Sequence, residues 1–308
     1  MGIKGFNSIV GEFSENHETL DFLKNKVVAV DASIFLHAYV APGSSKRKNH
    51  HVYGFFIMCY ELISALATPV IVFDGKPPVE KSNTTKARKE QRQNNQEKLD
   101  QLIADNADQK EIDKLAKRII NITPQMIQEV KKMLDYIGVS YFVASGEADA
   151  LCARLCQDGI ADAVITEDMD MLCHGVPSVI RNYNKKYNGG LNVYDLDKIV
   201  DGLEITKEQL VDVGVLAGCD YADPGAKSAK VALEKIMSCG SLDKVSPAPK
   251  NITELLRAKE LFNSMKEEEV IDISSRSSVS NRYRDNVSLR DEIVRWLQPV
   301  RDMLVMSM

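Results

Sequence analysis

VSYFVASGEADA, residues 139–150, and VITEDMD, residues 164–170, together decide the fold. They set four carboxylates, Glu147, Asp149, Asp168 and Asp170, directly behind two apolar runs that read as buried strands. A carboxylate at the end of a buried strand loses hydration, which is costly unless it is paired or bound to a cation. The pattern recurs in VVAVD, closed by Asp31, and in VIVFD, closed by Asp74. Apolar, β-branched runs alternating with helical segments predict an α/β fold. Its sheet is parallel, covered on both faces, with sites gathered at the carboxyl ends of the strands. All these acids then converge on one edge. Like charges in one crevice stay ionised together only if a cation neutralises them, so the pattern points to a metal site.

A chain of 308 residues can bury a large core, as one α/β domain or one with a helical appendage. No apolar run of about 18 residues predicts a membrane span. The opening MGIKGF is no signal peptide, and Phe6 stands where a myristoylation pattern needs Ser or Thr. These features lead to the expectation of a soluble intracellular protein. The six cysteines, Cys59, Cys152, Cys156, Cys173, Cys219 and Cys239, form no C-x-x-C pair and read as buried free thiols in a reducing compartment.

The net charge of −5 looks unsuited to nucleic acid until it is divided by place, because setting seven site acids aside leaves +2. Residues 76–98 hold seven basic side chains against three acidic ones. A basic face beside an acidic pocket suits a phosphate backbone led to metal ions, although a solvated helix face gives the same composition.

Along the chain, residues 2–24 read as a short helix and loop. Residues 32–41 form a helix bearing His37, which is either an ordinary core or surface histidine or a ring that stacks on a base. A basic loop at 42–51 includes His50 and His51, read as solvated. It leads into an apolar helix over 52–66. After Asp74, GKPP forbids an immediate helix. Lys81, Arg88 and Arg92 then fall at spacings of seven and four, on one helix face. From Gln91 to Gly138 the pattern is polar and helical, with a thin apolar stripe, as expected of an arch or lid.

Glu147 and Asp149 open the next helix, where the helix dipole alone would also favour them. In extended chain, Asp168 and Asp170 would point to the same side. Residues 182–190 read as a hairpin tip and 203–216 as an amphipathic helix. GCDY supplies Asp220, and Gly225 with Lys227 leads into another helix whose N–H groups could hold a phosphate. A serine-rich loop at 271–281 and a closing amphipathic helix at 288–305 complete the reading.

MGIKGF, VVAVDAS, VFDGKPP, SGEADA, TEDMD and GCDY, in this order and over about residues 1–235, resemble the XPG structure-specific 5' nuclease family, and its flap endonucleases in particular. The resemblance implies a twisted, mostly parallel sheet between helices of the PIN-like 5' nuclease fold, with a helical arch and a helix-two-turn-helix region. It divides the chain into a nuclease region at 1–80, the arch at 81–138, a second nuclease region at 139–245 and a helical extension at 246–308. It implies that Asp31, Asp74, Glu147, Asp149, Asp168, Asp170 and Asp220 hold two Mg²⁺ ions, with Mn²⁺ able to substitute, directly or through water. It further implies that Lys81 and Arg88 contact the scissile phosphate. Gly2, His37, Arg92, Gly225 and Lys227 would contact DNA; the family often has an aromatic side chain at the position of His37.

The implied chemistry suits these residues. Mg²⁺ keeps several waters and accepts a loose set of carboxylates. Two such ions about 4 Å apart can activate water and stabilise a leaving oxygen, while cationic side chains offset charge growing on phosphorus. The expected partner is branched or flapped DNA, met by a monomer.

The turn after GCDY is shorter than the family's, where a potassium ion and the downstream duplex would be held. The C-terminus has neither a sliding-clamp motif nor a basic tail, so no strong clamp binding is expected and no nuclear-import signal is evident. Three other readings stand beside the flap endonuclease: a 5' to 3' exonuclease on duplex DNA or RNA, a haloacid-dehalogenase-type phosphatase using Asp168 and Asp170, and an inactive DNA-binding scaffold. The phosphatase motif should come early in the chain, and a scaffold has no use for seven acids in one place.

Overall fold

Seven strands make one sheet in the computed structural model: β1 (Ser14–His17), β2 (Val27–Asp31), β3 (Thr68–Phe73), β4 (Ser140–Val143), β5 (Ala163–Ile165), β6 (Ser178–Arg181) and β7 (Leu191–Asp195). The structure describes residues 2–40, 49–75, 82–105, 107–116, 119–184 and 189–264, with the backbone alone for 82–89, 113 and 264. The helices are α1 (Asn7–Val10), α2 (Ala32–Val40), α3 (His50–Ser64), α4 (Ser82–Ala104), α5 (Gln109–Ala116) and α6 (Pro124–Ile137). They continue with α7 (Ala148–Gln157), α8 (Asp170–Cys173), α9 (Leu196–Gly202), α10 (Lys207–Ala217), α11 (Ala229–Cys239) and α12 (Ile252–Ser264).

The strand order is β1-β7-β6-β5-β2-β3-β4. β4, β3, β2, β5 and β6 run parallel, while β7 is antiparallel to β6 and β1 to β7. Period-two alternation explains why the runs are apolar throughout. In β2, Val27 and Ala29 enter one core while Val28 and Val30 enter the other. The first core is closed by residues of α7, α8 and α10 to α12, and the second by residues of α2, α3 and α6. From β2 the chain crosses to β3 and β4 on one side, then returns to β5 on the other. That reversal makes a crevice at the carboxyl ends of β2 and β5, the usual binding position in such sheets.

Local signals fix several helix ends. α6 starts with Pro124 after Thr123, whose hydroxyl accepts the Met126 N–H at 3.3 Å, and it stops at Gly138 with φ +72°. α10 opens on a capping box between Thr206 and Gln209.

Several sequence expectations are corrected. β4 is not a buried strand but the sheet's edge, with Val143 48% exposed; its apolar face is only half covered. β1, SENH, lies in what read as loop, because an edge strand can be polar. The helix expected over 203–216 is α10, which begins only at Lys207, and it is not amphipathic, being buried from Leu210 to Ala217. His51 is not solvated but buried, its Nε2 2.8 Å from Glu129 on α6. Among the cysteines, four are buried and Cys219 and Cys239 are partly exposed, all as free thiols. The serine-rich loop and closing helix lie outside the described residues.

Candidate active site

Each of four neighbouring parallel strands delivers acid at its carboxyl end. Asp31 closes β2 and Asp74 follows β3. Glu147 and Asp149 follow β4, and Asp168 and Asp170 follow β5. Asp31 is 3% exposed. Its Oδ2 accepts the Thr166 hydroxyl at 3.1 Å and its Oδ1 accepts the Ser33 N–H at 3.1 Å. Burial first, then the charge of Asp74, pushes its pKa up to about 7 against those two hydrogen bonds. Unneutralised negative charge therefore gathers at this point.

Asp74 is held from two sides: Ser33 Oγ donates to its Oδ2, and the Ala148 N–H donates to its Oδ1 at 2.8 Å. The loops after β3 and β4 close tightly enough for Gly75 N–H to reach the Gly146 carbonyl at 2.8 Å. A Cβ on Gly75 would sit 1.9 Å from the Ala144 carbonyl oxygen, so only glycine fits there.

Asp168 and Asp170 were expected to share a side through extended chain. They instead lie in the turn that starts α8, with Asp170 N–H donating to Asp168 Oδ1 at 3.1 Å. They still face a common spot. A Cβ on Gly2 would come within 2.2 Å of Asp168 Oδ1 and 2.8 Å of Asp170 Oδ1, and Gly2 has φ +92°. The N-terminal segment is anchored there by the Ile3 N–H donating to Asp170 Oδ1 at 2.7 Å and by the burial of Ile3 and Phe6. Lys4 N–H reaches the Gly218 carbonyl at 3.2 Å, which draws in the turn that carries Asp220 and Tyr221. Tyr221 O–H donates to Glu147 Oε2 at 2.6 Å. Burial, with the Glu147 carboxylate next, holds the phenol's pKa well above its ordinary value, so it remains a donor.

His37 lies on the exposed side of α2, close enough to Arg92 and Asp74 to feel both charges. Desolvation of its ring and then Arg92 lower its pKa, with Asp74 opposing. Arg92, from α4, is thus near enough for its charge to act on the His37 ring. Lys81 and the side chain of Arg88 lie outside the described residues. Lys227 is exposed before α11, whose N-cap is Ser228. The N–H groups of Gly225 and Ala226 both donate to the Leu216 carbonyl at 3.0 Å. The Gly225 amide thus closes the turn before α11, and a Cβ on Gly225 would meet Leu255 and Leu216.

Ser33, Thr166, Tyr221 and the Ala148 amide are the site groups that the sequence reading did not name. Each lies within two residues of a named acid, in DAS, TED, GCDY and EAD, which is the only signal they carried.

Among the described residues, no three Asp, Glu, His or Cys side chains close on a single point that could hold a metal ion. The set is all hard oxygen, negatively charged beyond its hydrogen bonds, and loose. Such a set suits Mg²⁺, which keeps several waters and takes only one or two carboxylates directly.

The XPG N-terminal domain matches residues 1–95 and the XPG I-region matches residues 138–220. Flap endonuclease 1 of Enterocytozoon bieneusi is 33% identical over 96% of this chain and 84% of its own length.

The chain belongs to the XPG family.

Within that family, flap endonuclease 1 of Micromonas commoda is also 33% identical, over 72% of this chain, and the matched region spans 62% of that relative. Among solved structures, the catalytic core of Rad2 in complex with DNA substrate superposes with a TM-score of 0.63 at 27% identity, covering 92% of this chain and 87% of that one. Flap endonuclease-1 from Methanococcus jannaschii has the same fold, with a TM-score of 0.64 at 22% identity over 97% of this chain and 99% of that one. Among the described residues of this XPG-family chain, no helix is long and apolar enough to cross a membrane.

Proposed function

We propose that the chain is a divalent-metal-dependent, structure-specific 5' nuclease that hydrolyses phosphodiesters in flapped or branched DNA near the junction of single and double strand. The observation that carries this reading is the arrival of Asp31, Asp74, Glu147 and Asp168 from four adjacent parallel strands at one edge. Family membership and the relatives named flap endonuclease 1 support the substrate class, and the family uses divalent metal ions.

In this reading Asp31, Asp74, Glu147, Asp149, Asp168, Asp170 and Asp220 hold two Mg²⁺ ions, some through water, and Mn²⁺ can replace them. Bound there, the ions supply Lewis acidity toward phosphate and make water a better nucleophile near neutral pH. The chain's own groups do the remaining work. Ser33, Thr166 and the Ala148 N–H orient Asp31 and Asp74. The segment from Gly2 to Lys4 shapes the floor beside Asp168 and Asp170. Arg92 and His37 meet the DNA on the α2 side. Lys81 and Arg88, on the family pattern, offset charge on the scissile phosphate, with α4 and α5 arching over the 5' arm.

Cleavage of a 5'-labelled double-flap DNA, a blunt duplex and a single strand, each with Mg²⁺ or EDTA, tests the reading. Magnesium-dependent release of the whole arm is expected. Asp168→Ala should lower the rate at least about 100-fold, as loss of a group that acts on the transition state does, with DNA affinity kept within severalfold. Mononucleotide release from the blunt duplex would favour the exonuclease, and a fully active Asp168→Ala would refute the metal assignment.

A further inference from the structure

One chain of contacts reaches the acid edge from the far end of the described sequence. Glu147 is the N-cap residue of α7, yet its side chain does not cap its own helix. Its Oε2 instead accepts the Tyr221 O–H at 2.6 Å, across 74 residues of sequence. That length is typical of a strong hydroxyl-to-carboxylate bond. The Tyr221 ring stands edge-on to Phe262, with centroids 5.4 Å apart and planes at 86°. Phe262 belongs to α12 and is wholly buried, and its ring also meets that of His174, with centroids 4.8 Å apart. His174 is itself 2% exposed and tied by its backbone N–H to the Asp170 carbonyl at 3.0 Å. Tyr221 therefore has a rigid wall behind its ring and the Glu147 carboxylate bonded to its hydroxyl. Burying an aromatic ring requires only packing; directing its O–H at a site acid is a further constraint.

We propose that Tyr221 is a positioning residue for Glu147, its O–H holding Oε2 and so fixing the direction in which the carboxylate meets a cation, and that Phe262 on α12 fixes the phenol in that pose. The inference rests on Glu147 being a metal ligand, as argued above. It makes α12, which carries none of the acids, a part of the site's geometry.

The test uses the full chain and measures Mn²⁺ binding through the electron paramagnetic resonance signal of free Mn²⁺, beside the Mg²⁺ dependence of flap cleavage. Tyr221→Phe keeps the ring and removes the O–H. Its Mn²⁺ affinity should fall about tenfold or more, the effect usual for losing a partner that orients a metal ligand. The Mg²⁺ concentration for half-maximal rate should rise by a similar factor, while the rate at saturating Mg²⁺ returns to within severalfold of the parent and the melting temperature stays close to it. Phe262→Leu should shift both quantities in the same direction by less, and it carries the test if Tyr221→Phe does not fold. Unchanged Mn²⁺ affinity and Mg²⁺ dependence in a folded variant would overturn the positioning role alone. A parent chain that binds no Mn²⁺ would overturn the metal assignment of the acids, and this inference with it.

Discussion

Asp31 shows in one side chain how the site stores its charge. Burial and the neighbouring Asp74 raise its pKa from 3.8 to about 7 in the folded chain. Between these values the folded protein holds a proton that the unfolded chain has released. Folding therefore takes up a proton, and the stability of the metal-free protein falls as pH rises from about 4 through 7. Asp31→Asn removes the titration while keeping an oxygen for the Ser33 N–H and placing an amide N–H₂ toward Thr166 Oγ1, which can accept. In EDTA the variant should be more stable than the parent at pH 8, by about 4 kcal/mol at most, since the rise from 3.8 to about 7 spans roughly three pKa units of about 1.4 kcal/mol each. The gap should close toward pH 5. Urea midpoints at both pH values decide it: a gap independent of pH, or a variant less stable at pH 8, would reject the charge argument.

Among the elements, α7 shows how sheet and helix share one residue. Its first N–H, that of Ala148, is satisfied by Asp74 from the end of β3, and Glu147 at the N-cap position does not cap the helix. Asp74 is thus a cap supplied from another element as well as a candidate ligand. Asp74→Ala should cost about 1 kcal/mol of stability without any metal present, the usual effect of losing a cap. It should also speed hydrogen exchange at Ala148 relative to the middle of α7. Equal protection of Ala148 in parent and variant would deny the cap.

The same scale shows what could be read in advance. β2, β3 and β5 were legible because burial on both faces leaves continuous apolar runs, and the acids closing them were legible because charge at such ends is rare. β1 was not, since an edge strand such as SENH needs no apolar face. β4 was misread as buried because YFV fits a core strand equally well. The turn at Asp168 and Asp170 hid because two-residue spacing fits extended chain and turn alike. Tyr221 and Gly225 depend on contacts with Glu147 and Leu216, which local pattern does not contain.

Across the whole molecule, the acid edge depends on helices that only tertiary packing holds in place, and α12 is the last of them described. It docks on α10 through Leu255, Ala258 and Phe262, all within the first core, and through one charged contact. Asp212 of α10 is 1% exposed. Its Oδ2 accepts the Leu242 N–H at 3.1 Å, and its Oδ1 lies 2.5 Å from Lys259 Nζ on α12. A buried pair of this kind is a weak net stabiliser, but removing one partner leaves a charge stranded in the core. Lys259→Met should therefore lower the unfolding free energy by about 3 kcal/mol, the lower end for breaking a buried pair because the lysine remains partly in solvent. Adding Asp212→Asn should recover a large share of that loss, since the stranded charge is gone while an acceptor for Leu242 remains. Denaturant unfolding of the two single variants and the double variant gives the coupling directly. If Lys259→Met costs nothing, or if the second substitution only deepens the loss, the pair is not what seats α12. Recovery in the double variant would show that the helix is held by charge balance over an apolar base. Flap cleavage by the same three proteins would then report how far the seating of α12 reaches Glu147.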